Sequence, residues 1–140
     1  MALTAYLSLA GETQGQIQGS CDINPHEGKI EVWGWMHDVV SPRDAASGAP
    51  RGKRRHKPFN VTKGIDHASP LLMSLLCRNE NIPTWALECY RPNATGIEQL
   101  CWTVELTDAS IAGIRMESLN NKYPAYMNHP MREHVQFAYR

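Results

Sequence analysis

What the chain lacks narrows it first. It has no excess of charge of either sign: 14 Lys and Arg stand against 14 Asp and Glu, for a formal net charge of +0. Bulk electrostatics therefore select neither nucleic acid nor a membrane surface as partner, and give little protection against self-association. It has no long apolar run, and Met1-Ala2-Leu3-Thr4 carries no basic region ahead of one. No secretory signal peptide, transmembrane helix or membrane insertion is expected, and the expected address on synthesis is the cytoplasm. Cysteine is sparse, and Cys21, Cys77, Cys89 and Cys101 contain no C-x-x-C pair; reduced thiols, not a disulfide framework, are the expectation. The six histidines include no pair at the i, i+4 spacing of a helical zinc site, and His129 and His134 straddle Pro130. Neither a metal nor another cofactor is expected. There is no G-x-S-x-G and no P-loop. Asp38, Asp44, Asp66 and Asp108 fall near strand ends or loops, where turn and cap roles account for them. The residues offer no catalytic group, and an enzyme is not expected.

What is present is alternation. The 140 residues, 42% hydrophobic, suffice for one domain with a proper core over residues 1–140. Ala5 to Leu9 alternates as a first strand, and a short strand is expected near Gln16-Ile17. Residues 29–40 form the longest strand candidate, with Ile30, Val32 and Met36 on one face and Trp33, Trp35 and His37 on the other. Two tryptophans on the more polar face imply cover from the helix or from another chain, so Trp33 and Trp35 are candidate subunit-interface residues. Phe59 and Val61 point inward from the next strand. A helix follows over 69–78, with Ser69 expected as N-cap, Pro70 at its first position, and Leu71, Leu72, Leu75 and Leu76 on one face. Residues 84–91, with Trp85, Leu87 and Cys89 inside, and 99–106, with Leu100, Trp102, Val104 and Leu106 inside, read as a hairpin across the turn at 92–96. Strands at 109–116 and 134–140 follow, separated by a polar, Pro-containing loop at 120–130. About seven strands with turns between them predict an all-β fold: a two-sheet antiparallel barrel or sandwich flanked by one short α-helix.

Residues 41–52 hold Pro42, Gly48, Pro50 and Gly52 among small residues, a long loop of the kind that is usually functional or disordered. It runs into the only charge cluster, residues 51–57. One use for that cluster would be binding a small ligand or nucleic acid through the basic segment from Arg51 to Lys57. No aromatic platform is interleaved with it, and a solvated loop or a protein interface fits its composition better.

Several stretches, taken in order, resemble one family. They are Tyr6-Leu7-Ser8-Leu9-Ala10-Gly11 with Thr13-Gln14-Gly15-Gln16-Ile17, the His56-Lys57-Pro58-Phe59 strand with its Ser69-Pro70-Leu71-Leu72 helix, Trp85 through Arg91, Leu106-Thr107-Asp108-Ala109, and Val135-Gln136-Phe137-Ala138-Tyr139-Arg140. Together they are similar to Hcp, the haemolysin-coregulated protein of bacterial type VI secretion. The strand-plus-helix piece is the most specific. The resemblance implies hexameric rings stacked into a hollow tube, surrounded by a contractile sheath, capped by a VgrG spike, carrying small effectors in its lumen and secreted without a signal peptide. It implies no catalytic residues. It also implies that the long loop joins stacked rings, which makes Ser41, Pro42, Arg43, Asp44, Gly48, Pro50, Arg51, Lys53 and Arg54 candidate stacking residues. Family members of this type usually continue past the final strand, so the domain is expected to be truncated at its C-terminal end.

Overall fold

The computed structural model describes residues 3–140. Its strands are β1 (Thr4–Gly11), β2 (Gly15–Gln16), β3 (Ile30–Val32), β4 (Gly34–Met36), β5 (Val39–Val40), β6 (Arg55–His56), β7 (Phe59–Gly64), β8 (Thr84–Pro92), β9 (Glu98–Glu105), β10 (Ser110–Glu117) and β11 (Arg132–Ala138), with one helix, α1 (Ser69–Cys77), between β7 and β8. The first sheet runs β2-β1-β8-β9, with β3 also paired to β1; the second runs β10-β11-β7-β4; β5 and β6 form a separate ribbon. All of these pairings are antiparallel. The two sheets close on one core. The alternating strands supply it as predicted: Leu7 and Leu9 from β1, Phe59 and Val61 from β7, Trp85 and Leu87 from β8, Val135 and Phe137 from β11 are all buried. Trp85 sits at its centre, edge-on to Phe59 at 5.1 Å and to Phe137 at 5.3 Å between ring centroids.

The expected single strand over 29–40 is not one strand. Its first third pairs with β1 in the first sheet, its middle with β7 in the second, and its end with β6 in the ribbon. The chain changes sheets at Trp33, whose N–H bonds Thr62 O at 2.8 Å, and resumes at Gly34. A strand that turns a corner between sheets loses its period of two. Ile30 and Val32 are therefore buried as expected, while Met36, expected on the same face, is 60% exposed.

The helix begins differently from the expectation. Its N-cap position is Ala68, and Ser69 and Pro70 occupy the first two helical positions. Asp66 takes the capping role from outside the helix, its Oδ1 accepting the Ala68 N–H at 3.0 Å. The Ser69 hydroxyl instead turns inward, accepting the Asp66 N–H and donating to Glu133 at 2.9 Å. Leu72 and Leu75 are buried, Leu76 packs partly against the core, and Leu71 faces outward. The helix ends on Asn79 at φ 49°, the left-handed conformation that stops helices, with the Glu80 N–H returning to Leu75 O.

The hairpin of β8 and β9 forms as predicted, but Leu100 and Trp102 are exposed. Trp102, opposite Cys89, keeps the face of half-buried Val104 but lies on an edge strand. Leu100, opposite Tyr90, has been turned to the other face. A bulge at Cys89/Tyr90 shifts the register there.

Candidate functional site

The loop at 41–54 is an ordered arm. β5 and β6 pair at its base, Val39 with His56 and Val40 with Arg55. An isolated bridge joins Arg43 to Pro50, and the Arg51 N–H bonds Pro42 O at 2.8 Å. At its tip Asp44 Oδ2 accepts both the N–H and the hydroxyl of Ser47, at 2.9 and 2.8 Å. These two bonds hold the Asp44 carboxyl below its usual range. Gly48 and Gly52, at φ 71° and 83°, take turn conformations that a side chain would strain. Ser41, Arg43, Pro50, Arg51, Lys53 and Arg54 are exposed, and Pro42 and Asp44 half-buried. Among the described residues Arg43, Lys53, Arg55 and Lys57 join no ion pair, and Arg51 meets only Asp44, at 3.9 Å. At the base a hydrogen-bonded chain runs from Arg54 Nε to His56, from His56 to the Tyr139 hydroxyl, and on to His37. It ties the arm to the end of β11.

The second surface is apolar. Trp33, Trp35 and Trp102 are 47%, 42% and 58% exposed and border one groove of about 360 Å³, together with Leu3, Val32 and Cys89. Trp33 and Trp35 both border this groove, but not as the outer face of one strand: Trp33 lies at the corner between the sheets, and Trp35, opposite buried Val61, is on the inward side of β4, where Met36 was expected. Trp33 lies flat on Gly64, where even a Cβ would stand 2.7 Å from its ring. Trp35 stacks on buried Phe59 at 5.5 Å, which extends the core's aromatic column to the surface. Trp102 was expected inside, and its part in the groove is legible only once β9 is placed at the edge.

A third feature also escapes the sequence pattern. The turn between β10 and β11, expected to be polar, exposes Tyr123, Tyr126, Met127 and Met131.

The outer face of the second sheet is a shallow trough of mixed character, with Asn60, Thr62, Arg115, His134 and Gln136 beside Met36 and Ile114. Glu117 at its rim accepts from Arg132 at 2.7 Å and faces His134 Nε2 at 3.0 Å. These contacts, His134 first, pull its carboxyl down to about 2 from 4.5. A carboxyl held low in the folded state stabilises fully above its ordinary value, and this is lost as pH falls through the folded one. Glu117→Gln is therefore expected to flatten the acid limb of a melting-temperature profile between about pH 4.5 and 2. A limb of unchanged slope would refute the assignment. Among the described residues no three of His, Cys, Asp and Glu gather as a metal site.

Two closed antiparallel sheets, one flanking helix, a projecting ribbon and an unpaired apolar groove describe a β-barrel building block with surfaces for contact. A family model described as type VI secretion system effector, Hcp, matches residues 6–140. The major exported protein of Pseudomonas aeruginosa is 36% identical over 149 aligned positions, covering 100% of this chain and 87% of that one. A crystal structure of an Hcp protein superposes with a TM-score of 0.92 at 29% identity, over 99% of this chain and 88% of the other. A secreted Hcp protein of Pseudomonas aeruginosa does so at 0.79 and 30% identity, over 99% and 87%. The chain belongs to the Hcp family, the secreted tube proteins of type VI secretion.

Proposed function

We propose that the chain is the repeating subunit of the type VI inner tube. Six copies close into a ring, and rings stack into a hollow tube assembled in the bacterial cytoplasm and then exported. Residues 1–140 act in it as one structural unit without a catalytic step. The sheath encloses the tube, a VgrG spike caps it, and small effectors ride in its lumen. The observation that carries this reading is the groove of Trp33, Trp35 and Trp102 on a chain with no net charge to keep copies apart. Clustered exposed aromatics mark contact surfaces.

The arm is the stacking element in this reading. It is folded before it docks, so docking orders little new backbone. Its free cations meet carboxylates of the next ring. Such exposed pairs are weak singly and screened by salt, and gain strength by repetition around the ring.

Native mass spectrometry tests the ring, with six chains per particle as the expected mass. A monomer that retards oligonucleotides would instead support binding through the basic residues 51–57. Replacing 41–54 by a short Gly-Ser linker is expected to leave rings intact and abolish tubes in electron micrographs. Tubes surviving that change would remove the arm from stacking.

A further inference from the structure

We propose that the tryptophan groove receives the β10–β11 turn of a neighbouring copy of this chain. This rests on the ring reading and names its mating parts.

The turn, residues 118–131, has the character of a knob. Tyr123 and Met127 are 56% and 62% exposed, yet the segment is internally ordered. The rings of Tyr123 and Tyr126 lie 5.4 Å apart, Tyr126 meets His129 edge-on at 5.8 Å, and a 3₁₀ turn spans Pro124–Tyr126. Asn120 Oδ1 accepts the Lys122 N–H at 3.1 Å. Apolar side chains held out on a preformed turn are suited to insertion, because little freedom remains to be lost.

Placement makes the pair suitable for a ring. The second sheet runs β10-β11-β7-β4. The knob springs from the β10 side, and the groove borders β4 at the opposite edge. A head-to-tail contact needs two different patches, well separated on each copy. Polarity agrees: the residues lining the groove carry no charge, and Lys122 is the only Lys, Arg, Asp or Glu in residues 118–131. Two apolar parts can meet without stranding a charge.

The test uses two variants of the full chain, Met127→Glu to disable the knob and Trp102→Glu to disable the groove. Both side chains are exposed, and melting temperatures near wild type will show that both fold. If either melts early, Tyr123→Glu and Leu3→Glu, the latter also at an exposed groove residue, replace them. Each variant alone is expected to lose ring assembly by roughly tenfold or more, as a contact hot spot does. Mixed, they retain one intact knob-and-groove contact and one that opposes two carboxylates, so a one-to-one dimer is expected by native mass spectrometry and nothing larger. Rings from either variant alone, or a mixture that stays monomeric, would overturn the pairing while leaving the ring reading in place. A wild-type chain that is itself monomeric would overturn both.

Discussion

Glu133→Ala is expected to lower stability by roughly 3–5 kcal/mol, the loss typical of a buried ion pair deprived of one partner. Lys63 on β7 and Glu133 on β11 are both fully buried and directly paired. The Lys63 ammonium also faces Gly64 O at 2.9 Å, Asp66 Oδ1 at 3.0 Å and Ser69 Oγ at 3.3 Å. Ser69 Oγ in turn donates to Glu133. The cluster therefore pins the first turn of α1 to two strands of the second sheet. Removing Glu133 leaves a buried ammonium with only Asp66 to balance it. Replacing both charges, Lys63→Met with Glu133→Leu, is expected to recover much of the loss, because no buried charge is then stranded. Urea titration of the three proteins checks this. A single-variant loss under about 1 kcal/mol would mean that water reaches the pair, since solvent-exposed pairs fall in that range.

Trp85→Ala is expected to be comparably damaging, at roughly 3–5 kcal/mol. Trp85 is 2% exposed and wedged between Phe59 and Phe137. Truncation would open a cavity where the sheets meet, and two rigid strands on each side limit its collapse. The indole Nε1 is buried and has no hydrogen-bond partner among the described residues. Trp85→Phe therefore keeps most of the packing and relieves a buried donor, and is expected to lose less than half as much as Trp85→Ala. Equal losses from the two would show that the N–H contributes to stability. Thermal and urea unfolding followed by far-UV circular dichroism would separate these cases.

The sequence by itself determined the β class, the inward faces of β1, β7, β8 and β11, and the existence of the helix. These are local properties: alternation for a half-buried strand, and leucines at helical spacing after a proline. It also marked residues 41–54 and the Trp33, Trp35 pair as unusual. Only the tertiary structure decided the rest. Residues 29–40 read as one strand, yet serve three sheets, because partner choice is set by β1, β7 and β6 and not by their own pattern. Leu100 and Trp102 are spaced like core residues, but the bulge at Cys101 turns Leu100 to the other face and Trp102 is left exposed on an edge strand. Ser69 has the right identity for a cap, but a buried Lys63–Glu133 pair from distant strands draws its hydroxyl inward. Periodicity tells which side of a strand is apolar. Whether anything covers that side depends on where another strand ends, and that is a property of the assembled sheets alone.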